Sequence, residues 1–566
     1  MSRIKIILFS LIVCIAMGVY VLCSFTFPER KMESPIKIAH PKIVNIVNFI
    51  RLDEPRDPEI TKEVLFETVV NQVAIMRKYK LKGTFLLQYD ALLDSGYQRL
   101  LKALPADSFE IGAWWEIPEP LAEDAGLKWR GKTSWDPYSS ADFSTGYSPD
   151  ERKKLADTYM RKFKEIFGYY PGSVGSWFID AYTLSYLYKK YGIVASCNCK
   201  DQIGTDGYTL WGGYWNQAYY PSKKNAYMPA QDPKNQIPVP VFRMLGSDPI
   251  RQYDNGIGAN RQGVVTLEPV YQFGGGDSAW VHWYFKQFIR GESLAFAYVQ
   301  AGQENSFTWK RMGKGFNIQM PLIARLRDQR KIKVETLAET GKWFRKNFKV
   351  TPSTSVVASD DSDGSDLKTV WFDSRFYRMN LLWRNGTLRF RDIHLFNENM
   401  VSAYLYQKST SGKYSFFTLP FVDGNRWSAK DKMAGLWFKT LINGKEILMK
   451  GSGNPQITSS IKGKLHISWP VEPVEDTLVM DISERQINIK MNGSHSINWF
   501  LDLSAAPSAR LPFRRISSGA INSRFEGINY LIEAKSGLFT QPGGDVILRV
   551  LPENNSLVLD FSNSSE

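Results

Sequence analysis

The chain has 566 residues, of which 43% are hydrophobic and 23% charged, a balance that excludes intrinsic disorder and a length that excludes one small domain. Its formal net charge of +14 is spread without a Lys/Arg block, and no zinc-finger, RNA-recognition or basic-zipper pattern occurs; that excludes a dedicated nucleic-acid arm and leaves an anionic polymer or membrane surface as partners. Aromatic residues make up 14%, with 17 Trp and 27 Tyr, suited either to the core of a β domain or to stacking on sugar rings.

The first element is an apolar run at residues 6–27, behind Arg3 and Lys5. A positive flank followed by an apolar stretch is an export signal. The run is long enough to span a bilayer and lacks a clear small-x-small cleavage site, which favours an uncleaved anchor over a cleaved peptide. Either form, over residues 1–35 with the linker, puts the rest of the chain outside the cytoplasm, membrane-anchored or secreted. Cys14 and Cys23 lie in this segment. Cys197 and Cys199 form a C-x-C too close for an easy disulfide.

Residues 43–54, IVNIVNFIRLDE, follow. They predict a strand buried on both faces, ending in Arg51, Asp53 and Glu54. The spacing then predicts a helix over 62–79, a strand over 83–88, a helix over 97–104 and a strand over 109–115 that ends at Glu116. A helix over 150–167 is opened by Ser148-Pro149 and closed by Gly168. Strand 174–179, helix 182–191 and strand 193–197 come next. Strands over 239–245, 264–267 and 294–300 end near Asp248, Glu268 and Glu304. Helix 278–290 lies among them, and a last strand and helix occupy 334–348. This repeated order predicts a parallel sheet closed as a (β/α) barrel of seven or eight units over 36–352.

Residues 353–369 read as a solvated Ser/Asp/Gly linker carrying Asp360, Asp361, Asp363 and Asp366, without the ligand spacing of an EF-hand. From 370 to 566, short alternating runs are punctuated by Asn385-Gly386, Asn443-Gly444 and Asn492-Gly493. They predict an all-β domain built as a sandwich. The barrel is expected to close its own core and to fold without the β domain.

The motifs of the first part resemble those of the NodB-type polysaccharide deacetylases. Leu52-Asp53-Glu54-Pro55 stands where that family carries T-F-D-D-G-P. Lys82-Gly83-Thr84-Phe85-Leu86 is similar to its K-A-T-F-F strand, and Glu110-Ile111-Gly112-Ala113 to the E-I-G-x before its metal-binding H-x-x-x-H. Tyr170-Pro171-Gly172, with the helix and Gly192-Ile193 after it, resembles the R-P-P-x-G arm. The resemblance spans roughly residues 40–350 and implies the glycoside hydrolase/deacetylase (β/α) barrel superfamily. It also marks departures. Leu52 falls at the family's base, Asp53 at its carboxylate ligand, and Trp114 and Pro118 at its two metal-binding histidines. His282 alone among the five histidines lies within the barrel proper. One carboxylate without imidazole does not make a zinc or cobalt site, so neither metal nor cofactor is expected.

Glycoside hydrolases of the same superfamily need two carboxylates across a sugar-binding cleft. Asp53, Glu116, Glu268 and Glu304, all at expected strand ends, form the candidate catalytic set. Glu116, after two Trp and before Ile117-Pro118, suits a general acid. Asp53, between Arg51 and Arg56, suits an ionised nucleophile or a substrate-binding carboxylate. Arg51, Asp180, Asp206, Trp114, Trp115, Trp211, Trp215, Tyr219 and Tyr220 are candidate substrate-binding residues. The aromatic loop 204–229 either covers the mouth or packs as a structural lid. The ligand class is an oligo- or polysaccharide, an anionic one included. No protein partner is evident. The alternatives are a deacetylase with rearranged metal ligands and a non-catalytic glycan-binding protein.

Overall fold

The structure is a computed structural model that describes residues 40–562 apart from 461–462, 473–475 and 494–496. The apolar segment at 6–27, with Cys14 and Cys23, and the linker to residue 35 lie outside the described residues.

β1 (Lys42–Ile50) is buried along its whole length but for its first residue, as a strand covered on both faces must be. β2 (Gly83–Leu87), β3 (Phe109–Trp114), β4 (Ser173–Gly175), β5 (Ala195–Asn198) and β6 (Val241–Arg243) follow on one side, each parallel to its neighbour. β7 (Ala297–Ala301) pairs in parallel with the other side of β1. β8 (Lys333–Glu335) joins the first half of β1. Among the described residues no strand ladder closes the ring between β6 and β7. Instead Gln217 spans the gap. Its side-chain oxygen accepts from the Tyr298 N–H at 2.9 Å and its amide donates to the Tyr298 carbonyl at 3.3 Å. Its backbone carbonyl accepts from the Arg243 N–H at 3.0 Å. A primary amide carries the same donor and acceptor as a peptide unit, so one side chain supplies one rung. The result is a nearly closed (β/α) barrel.

Helices α1 (Lys62–Lys78), α2 (Pro149–Phe167), α3 (Ala181–Tyr191), α4 (Ser278–Arg290), α5 (Thr308–Asp328) and α6 (Leu337–Asn347) alternate with the strands. α2 begins with a capping box between Ser148 and Glu151 and stops at Gly168, whose φ of 85° only glycine adopts freely. The sequence punctuation placed both ends.

Residues 353–369 are not a solvated linker. Thr354–Ala358 is a strand, antiparallel to Lys368–Asp373. The acids between them are paired: Asp361 is gripped by Arg251 at 2.6 and 3.1 Å, the same guanidinium meets Asp363, and Asp360 accepts from Trp283 and Lys286. Of the four acids Asp361 is buried, while Asp360, Asp363 and Asp366 keep contact with water.

The C-terminal part is an all-β domain. Among the described residues its strands, apart from Tyr414–Phe417, form one connected antiparallel network. Its core is continuous with that of the barrel, an arrangement that argues against the expected independence of the two parts. Trp215 stacks on Trp371 at 3.8 Å with a 1° interplanar angle. Tyr208–Trp211 pairs in parallel with Tyr414–Phe417. Arg378 of the β domain donates to Asp201 and to the Gly213 carbonyl.

Candidate active site

Parallel barrel strands present their C-terminal ends to one face. A pocket of about 320 Å³ opens there. Arg51 enters it from the tip of β1, Glu116 from β3, Lys200 from β5 and Glu304 from the turn after β7. Glu268 comes from the segment beyond β6, Asp206 from the hairpin after β5, and Asp142 and Trp135 from the long connection between β3 and α2.

Arg51 is the hub. It is 2% exposed. Nε and Nη2 donate to the two oxygens of Glu116 at 3.0 and 2.6 Å, and Nη1 meets Glu304 at 2.7 Å. The Trp135 ring lies 4.1 Å from its guanidinium carbon, a cation–π contact. Asn305 ties the Arg51 backbone to the turn after β7, accepting from its N–H at 2.9 Å and donating to its carbonyl at 2.8 Å. A planar fork fits two carboxylates in a way that an ammonium does not. Burial opposes the Arg51 charge, but Glu116 and Glu304 raise its pKa well above the ordinary arginine value. Gln88 adds a donor to Glu116 at 2.9 Å.

Three carboxyls of the pocket, Glu304, Glu268 and Asp142, are held towards their protonated forms. Burial raises Glu304 above the usual range, against Arg51 and the Ser306 hydroxyl at 2.7 Å. Burial likewise raises Glu268, against Lys200, Thr266 at 2.6 Å and Gln303 at 2.7 Å. Asp142 goes furthest. It is fully buried, and neither of its oxygens accepts a hydrogen bond of normal geometry. Burial and then the Glu116 charge push it well above the usual carboxylate range, against Arg51, Arg56 and the Trp135 indole. Several acids in one low-dielectric pocket cannot all ionise, which is how a proton donor is kept loaded at neutral pH.

Of the residues expected from sequence, Arg51, Glu116, Glu268, Glu304 and Asp206 line this pocket. Asp53 does not. β1 stops at Ile50, so Arg51 occupies the strand tip, while Asp53 accepts from the Glu54 N–H at 3.0 Å and the Ser134 hydroxyl at 2.6 Å. Asp180 caps α3, accepting from the Thr183 N–H and pairing with buried Arg152, both at 2.9 Å. The aromatic candidates are core. Trp114 stacks on Phe49 at 4.1 Å, and Trp115 packs edge-on against Tyr159 at 6.0 Å. Trp211 and Trp215 cluster with Tyr253 and Trp371. The Tyr219 hydroxyl donates to the Ala226 carbonyl and that of Tyr220 to the Phe348 carbonyl. All six are buried, with no face left for a sugar ring. Loop 204–229 is the packed lid.

Sequence reasoning missed Asp142, Trp135, Lys200, Tyr271, Arg261 and Arg311, all of which line the pocket. None of them sits at an expected strand end. The one available signal was Asp142 as the sole charge within residues 138–147.

The metal that a deacetylase-type barrel implies does not fit these residues. Trp114 and Pro118 stand at the histidine positions, and Trp114 is packed between Phe49 and Trp177. Asp53, at the carboxylate position, faces Ser134. The two acids nearest the tip of β1 are already neutralised by a guanidinium. Among the described residues no three His, Cys, Asp or Glu side chains are grouped to hold an ion.

A family model described as a domain of unknown function with a solved structure, DUF3863, matches residues 142–355. No curated protein matches the chain. Among solved structures, the chain is similar to a "putative glycoside hydrolase/deacetylase" from Parabacteroides distasonis. The identity is 15%, 71% of this chain and 95% of that one are covered, and the TM-score is 0.50. It is also similar to a "putative polysaccharide deacetylase" from Mycobacterium smegmatis, at 12% identity over 56% of this chain and 94% of that one, with a TM-score of 0.35. The first likeness is one of fold alone: the barrel is similar to that of the Parabacteroides distasonis protein.

Proposed function

We propose that this chain is a carbohydrate-active enzyme that hydrolyses glycosidic bonds with carboxyl groups of the pocket. The observation that carries the reading is the fully buried, unpartnered Asp142 in one pocket with a carboxylate, Glu304, that a guanidinium holds. Glycoside hydrolysis needs a proton on the leaving oxygen and a second carboxylate that activates water or attacks the anomeric carbon. Asp142 takes the first role in place of Glu116, both of whose oxygens are occupied by the Arg51 guanidinium. Glu304 takes the second: burial raises its pKa, and the Arg51 guanidinium and the Ser306 hydroxyl oppose that and favour the anion the role requires. Glu116 is then a positioning residue that fixes the guanidinium. Glu268 remains for sugar hydroxyls, and the half-buried Trp177 and Tyr271 supply ring surfaces along the walls. The name of the Parabacteroides distasonis protein, glycoside hydrolase/deacetylase, supports a carbohydrate substrate.

The test is a glycan-release screen of the purified chain, with Asp142→Asn and Glu304→Gln beside the wild type. Release of reducing ends by the wild type and not by either variant is the expected result. Glycan binding with no release from any substrate would replace the hydrolase with a binding protein. We also propose that residues 6–27 export the chain and anchor it facing outward, because the run is apolar and follows Arg3 and Lys5. Fractionation of the expressed protein with membranes, its N-terminal Met retained, is expected.

A further inference from the structure

β5 runs on into Cys199-Lys200-Asp201, and consecutive residues there part company. Asp201 is an interior group, paired with Arg243 and Arg378. Lys200 lines the pocket. It is 2% exposed, yet among the described residues no carboxylate lies within ion-pairing distance of it. The one polar contact of its ammonium is a 3.5 Å approach to the side-chain oxygen of Gln202, which the Cys199 thiol also reaches at 3.3 Å. An ammonium carries three donors, and taking one out of water without a counter-charge is costly.

The acids at this end of the pocket do not pair with it. Glu268 feels the Lys200 charge, but burial holds it towards the protonated form, and its two oxygens accept from Thr266 and Gln303 rather than from the ammonium. Asp206 is exposed on its hairpin. Arg261 and Arg311 line the same pocket, are exposed, and have no ion-pair partner among the described residues. At the other end the balance is different: Arg51 is neutralised by Glu116 and Glu304, and Arg56 by Glu54. The pocket is thus divided into a compensated end that carries the proposed chemistry and an uncompensated cationic end.

We propose that Lys200, with Arg261 and Arg311 at the rim, forms an oxyanion subsite that takes the carboxylate or sulfate group of an acidic sugar. The proposal deepens the glycosidase reading and rests on it for the word sugar: the substrate is an anionic saccharide, bound with a charged group at Lys200. A buried ammonium in a low-dielectric wall attracts an oxyanion more strongly than the same charge in water. Exposed arginines at the rim steer a polyanion towards it.

Two measurements on the full chain test this. In the first, inorganic sulfate is titrated at constant ionic strength while the melting temperature is read. Sulfate should stabilise the wild type and Lys200→Arg but not Lys200→Met, and an equal response of Lys200→Met overturns the subsite. Should Lys200→Met fail to fold, the exposed Arg311→Gln carries the test, and an undiminished sulfate response there overturns the subsite too. In the second, calorimetry compares a glucuronate-containing oligosaccharide with its carboxyl-reduced counterpart. The acidic form should bind about tenfold more tightly to the wild type and equally to Lys200→Met. Equal binding of both sugars to the wild type overturns the proposal. The two readings fail separately. Glycan cleavage without any sulfate response removes the subsite alone, and a Lys200-dependent sulfate response without cleavage of any glycan removes the hydrolase alone.

Discussion

The Arg51 guanidinium meets the Glu304 carboxylate at 2.7 Å, joining the tip of β1 to the turn after its parallel neighbour β7. Because the same guanidinium also forks onto Glu116, its removal strands two buried acids at once. Arg51→Met should therefore cost about 3–5 kcal/mol in urea unfolding and abolish turnover. Arg51→Lys should recover part of the stability but little activity, since a point charge cannot make the bidentate contact. Wild-type turnover in Arg51→Lys would show that the fork geometry is irrelevant.

Asp142 gives a cleaner separation of stability from function. No hydrogen bond of normal geometry holds it, and the Trp135 indole beside it can donate to an amide oxygen as it does to a carboxyl. Asp142→Asn should change stability by less than about 1 kcal/mol while lowering kcat by roughly 10²–10⁴-fold, the range for loss of a general acid. In the wild type, burial and Glu116 hold this carboxyl above the usual range. Activity that needs its proton is then present on the acid side and lost as pH rises through that elevated value. A pH–rate profile with no alkaline limb, or an active Asp142→Asn variant, would assign the proton to another group.

Much of the barrel was legible because helix ends are local. Ser148, Glu151 and Gly168 set the limits of α2 within a few residues of chain, whatever else folds around them. The converging acids Glu116, Glu268 and Glu304 were legible for a topological reason: parallel strands share one C-terminal face. Asp53 was misplaced because apolar periodicity does not say where a strand stops, and β1 ends before the charged run begins. The aromatic candidates were misread because a Trp that stacks on Trp371 and one that stacks on a sugar look alike in sequence. Asp142 and Lys200 come from connections whose path is fixed by tertiary packing, among it the pairing of Tyr208–Trp211 with Tyr414–Phe417.

That pairing leads to a prediction about modularity. Trp371 closes a cluster with Trp211, Trp215 and Tyr253 that belongs to both parts of the chain. Trp371→Ala should cost about 3–5 kcal/mol and lower the single unfolding transition rather than split it. A chain ended at residue 352 would expose this cluster and leave Asp201 without Arg378. It should aggregate or bind a hydrophobic dye. A soluble, cooperatively unfolding product of that length would show that the barrel is self-sufficient.

Chelation separates this site from a deacetylase-type metal centre. With Trp114 and Pro118 at the histidine positions and Arg51 on the acids, dialysis against a chelator should leave turnover and melting temperature unchanged, and added zinc or cobalt should not raise either. Recovery of chelator-inhibited activity by one equivalent of zinc would overturn this reading of the donor set.

Asp90, beneath the site, offers a test of how burial shapes its electrostatics. Burial lifts this carboxyl from 3.8 to about 7, against the Ala91 N–H and the Arg51 charge. Its folded pKa lies above its unfolded one, so the folded chain binds this proton more tightly. The corresponding stability is fully present below about pH 4 and is lost as pH rises to about 7, above which the deficit is constant. At about 1.4 kcal/mol for each pH unit spanned, the loss amounts to roughly 4 kcal/mol. Asp90→Asn cannot ionise and should escape it. The variant should match the wild type near pH 4, gain on it steadily to pH 7, and run parallel above. Glu268, Glu304 and Asp142 titrate in both proteins, so the difference curve isolates Asp90. Chemical denaturation at a series of pH values measures it. A flat difference across pH 4–7 would mean that Asp90 ionises as an ordinary carboxylate, and that the interior around Arg51 is more polar than its packing implies.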